Sequence, residues 1–298
     1  MQKIAVIIPC LNEEAAIGRV VADCKAHLPF ADIYVLDNGS EDQTSSVAKH
    51  AGALVLYSPL RGKGNVVQHA FRVIEADFFL LIDGDGTYPL SEAQHLLKVA
   101  REHNYDMVMG SRLEQGNSQS FRPLHYLGNQ IFTVLVRILF NFPMRDLLTG
   151  YRVFSRRFAK EMIFLSRGFE IETELTIRAI AQGLPFCEVA IPYGQRAIGG
   201  KSKLRTFRDG WKILLTIFKF FMYFRPFFFF TGLAVALSLF AGSVEGEFRT
   251  FLSVAAVMFF GIGFHLDWRM SMYRMRPNGN GHKASTEVDR RYTSDHVA

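Results

Sequence analysis

The clearest chemical signal in the sequence is a pair of carboxylates, Asp83 and Asp85, separated by one glycine. They follow residues 78–82, an apolar run typical of a buried strand, so two hard oxygen ligands stand where a strand ends. Mg²⁺ and Mn²⁺ prefer such ligands and usually share one or two carboxylates with substrate phosphates. Acidic turns that bind nothing show the same pattern, and the place after a buried strand favours a metal site.

Polar segments also follow other predicted strands. Residues 9–13 and 37–42 are ordinary turns when taken singly, but together with Asp83 they supply acceptors for a nucleoside base and ribose. Residues 61–64, Arg-Gly-Lys-Gly, offer a cation in a flexible loop, with a solvated turn as the alternative. Their glycine spacing lacks the third glycine of a dinucleotide fingerprint. These segments predict a site that binds a nucleotide and a metal.

The elements that must position these residues alternate between strand and helix. The predicted strands cover residues 4–8, 32–36, 53–57, 78–82 and 107–110. The predicted helices cover residues 12–27, 40–50 and 64–76, with Ser40 as the N-cap of the second. Such alternation indicates βαβ units, a mostly parallel sheet and ligand binding at the carboxyl ends of the strands. Residues 1–210 are therefore predicted to form one α/β domain.

Composition excludes several classes of protein. The chain has 298 residues, of which 49% are hydrophobic and 21% charged, and this balance excludes a disordered protein. Three cysteines without a CxxC pair encode neither a disulfide framework nor a structural zinc site. An excess of Phe, 28 residues, indicates that part of the chain faces something other than water. A net charge of +6 suits nucleic acid, an anionic membrane surface or phosphorylated substrates.

The C-terminal third predicts membrane helices. Residues 226–244 contain no charged side chain, and at ~1.5 Å per residue they span ~28 Å, about one bilayer core. Residues 250–266 are a second apolar stretch after a short connector, so residues 226–268 are predicted to be a hairpin of two transmembrane helices. A buried helix pair is the alternative, and the run of Phe at residues 227–230, apolar on all sides, argues against it.

Basic flanks support a membrane. Residues 196–225 carry eight Lys or Arg against one acid, and residues 269–298 are also basic. The positive-inside rule then predicts a multi-pass protein of the cell membrane whose α/β domain and tail are cytoplasmic. Residues 211–225 are predicted to be an interfacial amphipathic helix, and the tail 269–298 to be disordered. Residues 131–142 are a further apolar helix, which either docks on the membrane or belongs to the core.

Several short motifs stand in order along the first 210 residues. They are Pro9-x-x-Asn12-Glu13, Asp37-Asn38-Gly39-Ser40-x-Asp42-x-Thr44, Arg61-Gly62-Lys63-Gly64, Asp83-Gly84-Asp85-Gly86-Thr87-Tyr88-Pro89, Gly110-Ser111-Arg112, Asp146-x-x-Thr149-Gly150-Tyr151-Arg152 and Gly200-x-Ser202-Lys203-Leu204. The ordered set resembles family 2 glycosyltransferases of the polyprenyl-phosphate type. It is similar to that of dolichol-phosphate mannosyltransferases and undecaprenyl-phosphate glucosyltransferases.

The resemblance implies a GT-A fold, a nucleotide-sugar donor and a polyprenyl-phosphate acceptor. The positions that match donor-binding residues of the family are Pro9, Leu11, Glu13, Asp37, Lys63, Asp83, Arg196 and Lys203. Arg112 and Arg122 match basic residues that hold the acceptor phosphate. The fit of the C-terminal hairpin to bacterial and archaeal members implies that acceptor and enzyme share a membrane.

The resemblance also implies the metal and the catalytic groups. Asp83, Asp85 and Thr87 would hold Mg²⁺ or Mn²⁺, with Thr87 where close dolichol-phosphate mannosyltransferases carry a Gln ligand. Asp85, Asp146 and Arg112 match catalytic positions. Arg forks suit phosphate, and an acceptor phosphate is already anionic, so it needs positioning more than deprotonation. Asp146 is therefore either a general base or an orienting group.

The predicted reaction is a single displacement that inverts the anomeric centre, with a UDP-sugar favoured over a GDP-sugar. Two alternatives stay open: extension of a lipid-linked saccharide, although no QxxRW-type motif occurs, and an inactive GT-A-like membrane scaffold. Nucleic acid is not expected as a partner, because the basic residues cluster beside apolar spans. Short membrane hairpins often associate, which leaves a homo-oligomer open.

Overall fold

The computed structural model describes residues 2–112, 123–192 and 206–274. The chain divides into two compact units, Met1–Thr216 and Ile217–Ala298. The strands are β1 (Ile4–Cys10), β2 (Asp32–Asp37), β3 (Leu54–Tyr57), β4 (Phe78–Leu81), β5 (Met107–Ser111), β6 (Arg152–Ser155) and β7 (Phe186–Ala190). The helices of the first unit are α1 (Glu14–His27), α2 (Thr44–His50), α3 (Lys63–Val73), α4 (Ala93–Glu102), α5 (Pro123–Phe140), α6 (Arg156–Glu161) and α7 (Ile171–Ala181).

The strands form a mixed, mostly parallel sheet in the order β3-β2-β1-β4-β6-β5-β7. The mostly parallel sheet predicted from the sequence is confirmed. β6, which the sequence analysis did not predict, lies antiparallel between β4 and β5. In register, Val6 of β1 lies beside Ile33 of β2 and Leu80 of β4. Strand order reverses between β1 and β4, and open α/β sheets bind their ligands at such a switch point.

The sheet is covered on both faces, as buried parallel strands require. On one face β1 packs against apolar residues of α1 and α4, among them Val20 and Leu97. On the other face aromatic rings of α3, β4 and β6 meet, with Phe71 lying 5.5 Å from Phe79 and 5.3 Å from Phe154. These layers hold the carboxyl ends of β1, β2 and β4 at one edge.

The predicted N-cap at Ser40 is wrong. α2 begins at Thr44, because the Ser40 hydroxyl donates to Asp37 at 2.6 Å and accepts from the Asn12 amide at 2.9 Å. That hydroxyl is thus used to join two loops instead of capping a helix. The segment 40–43 stays open as a loop at the sheet edge.

The C-terminal helices are α8 (Thr206–Phe224), α9 (Pro226–Ala241) and α10 (Glu247–Arg274). α9 and α10 run antiparallel, with Phe230 stacked on Phe259 at 6.0 Å. Gly263 allows this approach, since a Cβ there would lie 2.8 Å from the Cβ of Phe230. The predicted domain boundary at residue 210 falls within α8, and α10 extends into the predicted tail as far as Arg274. The rest of that tail lies outside the described residues.

Among the described residues, one helix is long and apolar enough to cross a bilayer by itself, over Glu247–Met270 of α10. α9 is shorter, with 16 residues, because the chain turns after Ala241. α8 and α9 satisfy the same criterion only as a pair bent by 107°. By length and composition the described residues therefore offer one candidate span, or two if the bent pair is a single span, and the predicted hairpin of two transmembrane helices is not confirmed.

Candidate active site

Short polar side chains tie the loops after β1 and β2 together. Ser40 Oγ accepts from the amide of Asn12 at 2.9 Å, and Asn12 Oδ1 accepts from the amide of Glu41 at 2.8 Å. Thr44 Oγ1 accepts from the amide of Glu13 at 2.7 Å. Asn12 has a φ of 52°, a left-handed conformation that Asn tolerates. The predicted donor-binding positions Pro9, Leu11 and Glu13 lie in or beside this pair of loops.

Asp37, at the end of β2, is a buried carboxylate held by hydroxyls. Ser40 Oγ donates to Oδ1 at 2.6 Å, and Ser45 Oγ donates to Oδ2 at 2.7 Å. Burial alone would raise the pKa of Asp37, but these hydrogen bonds outweigh it and lower the pKa below its ordinary value. Asp37 is therefore anionic at neutral pH and fixed in orientation, as an acceptor for ligand hydroxyls must be.

Asn38 connects β2 to the Arg-Gly-Lys-Gly loop. Its Nδ2 donates to the carbonyls of Ser58 and Leu60 at 3.0 and 2.8 Å, and its Oδ1 accepts from the amide of Gly62 at 2.7 Å. Each of these hydrogen bonds joins the Asn38 side chain to a backbone atom. Asn38 thus sets the path of the chain into α3 and Lys63.

Lys63 is not in a flexible loop, as the sequence analysis expected, but buried, with 9% of its side chain exposed. Its Nζ lies 2.5 Å from Asp83 Oδ1 and 2.6 Å from Glu172 Oε1. Burial alone would lower the pKa of Lys63, but the two carboxylates raise it above its ordinary value. Lys63 is therefore a fixed cation beside Asp83.

Backbone of the segment 166–168 holds the Arg-Gly-Lys-Gly loop in place. Gly64 N donates to the Gly168 carbonyl at 3.1 Å, and the Gln68 side chain donates to the Ser166 carbonyl at 2.9 Å. A Cβ at Gly62 would lie 2.2 Å from the Arg167 carbonyl oxygen, and one at Gly64 2.2 Å from that of Ser166. Glycine is thus required at both positions by close backbone approach.

Asp85 and Thr87 form a buried pair in the turn after β4. Thr87 Oγ1 donates to Asp85 Oδ1 at 2.7 Å, and the Thr87 amide donates to the same oxygen at 3.1 Å. Thr87, predicted as a metal ligand, thus directs its hydroxyl proton to the carboxylate of Asp85. Gly84 allows the turn, because a Cβ there would lie 2.7 Å from Cys10 Sγ.

The residues present fit a divalent metal that shares its shell with a substrate. Asp83 and Asp85 contribute hard carboxylate oxygens, which suit Mg²⁺ and Mn²⁺. Within the described ranges no group of three or more His, Cys, Asp or Glu side chains is arranged to hold a metal. A metal at these two carboxylates would therefore complete its coordination with phosphate oxygens and water, the usual mode of Mg²⁺.

Arg112 and Asp146 form a buried, bidentate ion pair. Arg112 Nε donates to Asp146 Oδ2 at 2.7 Å and Nη2 donates to Oδ1 at 2.9 Å, while Asn129 Nδ2 also donates to Oδ1 at 2.8 Å. Asp146 has 0% of its side chain exposed. Burial alone would raise the pKa of Asp146, but Arg112 and Asn129 lower it below its ordinary value. Asp146 is thus ionised at neutral pH, with both oxygens engaged.

Two side chains, Arg152 and Glu188, hold the loop that carries Asp146 by hydrogen bonds to its backbone. Arg152 donates to the carbonyls of Leu147 and Thr149 at 2.8 and 2.9 Å, and burial lowers its pKa to about 10. Glu188 accepts from the amide of Asp146 at 3.0 Å. Burial raises the pKa of Glu188 above its ordinary value. Buried charges therefore fix this loop.

Sequence analysis missed several residues of the site. They are Tyr88, Asn129, Glu172 and Glu188, none of which was assigned a role. No sequence signal marks Glu172, because residues 171–177 mix polar and apolar side chains, and their common burial appears only in the structure. The predicted residues Arg122, Arg196 and Lys203 lie outside the described residues.

Comparison with known proteins agrees with the geometry. The chain matches the family model described as Glycosyl transferase family 2 over residues 5–163. Glycosyltransferase AglJ of Haloferax volcanii is 32% identical over 270 residues, which cover 86% of this chain and 88% of that protein. The dolichyl-phosphate hexose transferase of the same organism is 31% identical over 216 residues, which cover 72% of this chain and 92% of that protein.

A solved structure supports the fold. Glucosyl-3-phosphoglycerate synthase from Mycobacterium tuberculosis, in complex with Mn²⁺, uridine-diphosphate-glucose and phosphoglyceric acid, superposes with a TM-score of 0.62. The two chains are 22% identical, and the match covers 74% of this chain and 80% of that one. The similarity confirms the expected GT-A-like α/β architecture.

Proposed function

This chain belongs to glycosyl transferase family 2, and from that premise we propose that it transfers a sugar from a nucleotide-sugar to a polyprenyl phosphate. The product is a polyprenyl-phosphate-linked monosaccharide with an inverted anomeric centre. The names of two relatives support the proposal: one is a dolichyl-phosphate hexose transferase, and the other is a low-salt glycan biosynthesis hexosyltransferase. The match covers 51% of the length of the second relative.

The observation that carries the proposal is the state of Asp146. An acceptor hydroxyl must lose a proton to a base near the operating pH, whereas an acceptor phosphate is already anionic. Asp146 is fully buried, has a lowered pKa and gives both oxygens to Arg112 and Asn129. Such a carboxylate suits orientation of an arginine on a phosphate, not proton abstraction. We therefore assign Asp146 the orienting role.

Donor binding is proposed at the switch point of the sheet. Asp37 is the acceptor for hydroxyls of the nucleoside, and Lys63 with Asp83 lies beside the place of the diphosphate. A divalent metal bound by Asp83 and Asp85 would supply positive charge for the departing diphosphate. The Mn²⁺ and uridine-diphosphate-glucose of the structural neighbour support a UDP-sugar donor.

We propose that the protein acts at a membrane, with its first unit on the cytoplasmic side and α9 and α10 as a hairpin that crosses the bilayer. α10 and the basic flanks of the hairpin support this arrangement. In the first unit α5 also supports it, since its two faces differ. One face is buried and consists of Asn129, Thr133, Val136 and Phe140. The other face carries a row of exposed apolar side chains, Leu127, Ile131, Val134 and Ile138. Such a stripe suits the boundary of a bilayer.

A transfer assay tests the proposal. Membranes carrying the wild type, Asp85→Asn or Asp23→Asn receive radiolabelled UDP- and GDP-sugars, undecaprenyl or dolichyl phosphate, and Mg²⁺ or Mn²⁺. Asp23, whose side chain is 48% exposed beside Arg19, is the control for loss of one surface charge. We expect label in the lipid phase with the wild type and Asp23→Asn, and none with Asp85→Asn.

Other outcomes point elsewhere. Label released from the donor without a lipid product would refute the proposal that a polyprenyl phosphate is the acceptor. It would favour extension of a lipid-linked saccharide. Folded protein that neither binds nor turns over any donor would favour the scaffold alternative.

A further inference from the structure

The hydroxyl of Tyr88 lies between the two halves of the site. Tyr88 is buried, and its ring lies 5.2 Å from that of Tyr151. Its oxygen accepts from the amide of Gly150 at 2.8 Å and from Arg112 Nη1 at 3.3 Å. One oxygen atom thus receives N–H groups from two separate segments of the chain.

On the donor side, this oxygen fixes the backbone next to Asp83. A Cβ at Gly150 would lie 2.7 Å from Asp83 Oδ2 and 3.0 Å from Lys63 Nζ, so the Gly150 backbone lies directly against that ion pair. Tyr88 itself follows Asp85 by three residues in the same turn. Its ring and its backbone therefore both belong to the segment that carries the carboxylates.

On the acceptor side, the Tyr88 hydroxyl adds a hydrogen bond to the guanidinium of Arg112. Asp146 engages Nε and Nη2 of that guanidinium, and Tyr88 accepts from Nη1. A planar guanidinium held at both ends has a fixed direction. A phenylalanine would fill the same volume, but it would accept neither N–H group.

We propose that Tyr88 is a positioning residue that sets Arg112 relative to the Asp83 and Asp85 carboxylates and thereby aligns the two substrates. The inference rests on the proposed function, since it takes Arg112 as the group that meets the acceptor phosphate. Loss of the hydroxyl leaves the Lys63–Asp83 ion pair and the Thr87–Asp85 hydrogen bond in place, but it removes the acceptor of Arg112 Nη1 and so loosens one end of the guanidinium. The effect therefore falls on the acceptor more than on the donor.

The test compares Tyr88→Phe with Tyr151→Phe in the full-length protein. Both variants remove one hydroxyl from the same buried ring pair, but the Tyr151 hydroxyl donates to the Pro89 carbonyl at 3.3 Å. For Tyr88→Phe we expect kcat/KM for the lipid phosphate to fall about tenfold, with donor affinity within about twofold. Tyr151→Phe should retain wild-type kinetics. Equal losses in the two variants, or a loss confined to donor affinity, would overturn the proposal.

A second measurement separates this inference from the proposed function. Hydrogen–deuterium exchange of the peptide that contains Gly150 needs no turnover. Faster exchange in Tyr88→Phe but not in Tyr151→Phe supports the coupling even if the wild type transfers sugar to another acceptor. Unchanged exchange in Tyr88→Phe refutes it, whatever the acceptor.

Discussion

The two halves of the first unit position their polar residues in different ways. In the parallel half, residues 4–102 with β1 to β4, neutral side chains such as Ser40 and Asn38 hold the loops. In the mixed half, residues 107–190 with β5 to β7, buried charges take that part: Asp146 binds Arg112, and Arg152 donates to the Leu147 carbonyl. Neutral hydrogen bonds therefore order most loops of the parallel half, with the Lys63–Asp83 ion pair as an exception, whereas the mixed half commits most of its charge to its own structure.

This difference has an energetic consequence. A neutral hydrogen bond contributes about 0.5–1.5 kcal/mol, but removal of one partner from a buried charged pair costs about 3–5 kcal/mol. Substitutions in the mixed half should therefore affect stability more, and those in the parallel half should affect ligand binding more. The following substitutions test that contrast.

The largest effect is expected for Arg152→Met. The substitution removes a buried cation and leaves the carbonyls of Leu147 and Thr149 without their donor, which should cost about 3–5 kcal/mol in the free energy of unfolding. Urea denaturation measures it. Arg156→Met is the control, because Arg156 is 55% exposed and its loss should stay within about 0.5 kcal/mol. Similar losses of unfolding free energy in Arg152→Met and Arg156→Met would refute the idea that buried charges stabilise the mixed half.

The next effect concerns Asp146 and pH. Because its pKa is lowered in the folded state, its contribution to stability is complete above the unfolded pKa of about 3.9 and is lost as pH falls through the folded pKa. The difference in unfolding free energy between wild type and Asp146→Asn should be constant from about pH 5 to 8 and shrink below about pH 4. Unfolding at several pH values measures it, and a difference that changes near pH 7 would instead indicate a general base.

A smaller, different effect is expected for Asn38→Ala in the parallel half. The variant frees the Gly62 amide and the Ser58 and Leu60 carbonyls, which should cost about 2 kcal/mol. Steady-state kinetics should show a raised KM for the nucleotide-sugar and an unchanged KM for the lipid phosphate. A change in both would show that the halves are not separable.

The smallest effect is expected for Thr87→Val, compared with Thr87→Ser. Loss of the hydroxyl that donates to Asp85 should weaken Mn²⁺ binding about fivefold, while the serine variant keeps the hydroxyl and the affinity. Titration with Mn²⁺ followed by electron paramagnetic resonance measures this without turnover. Wild-type affinity in the valine variant would show that the hydroxyl serves neither as ligand nor as tether.

The contrast also explains what the sequence could predict. In the parallel half Asp37, Asp83 and Asp85 each end a strand or follow one within a few positions, so strand pattern and motif together were enough to predict them as site residues. In the mixed half the partners are distant, since Arg112 and Asp146 lie 34 positions apart. β6 has four residues and no alternation of polar and apolar side chains, so no local pattern revealed it.

Lys63 shows the same limit within the parallel half. Its local sequence, two flanking glycines and an arginine, is that of an exposed loop. Its burial depends on Glu172 and on backbone of residues 166–168, far along the chain. Tertiary contacts of this range leave no periodic trace in a sequence.

The contact between Gln68 and Ser166 can form only after a delay during translation. The 98 positions that separate them take about 5–20 s to translate at about 5–20 residues per second. Within that interval β4 is completed and β1 to β4 can leave the ribosome, while Lys63 still lacks Glu172 and its loop lacks the backbone that holds it. A message truncated before codon 166 therefore encodes β1 to β4 but not the backbone that holds the Arg-Gly-Lys-Gly loop.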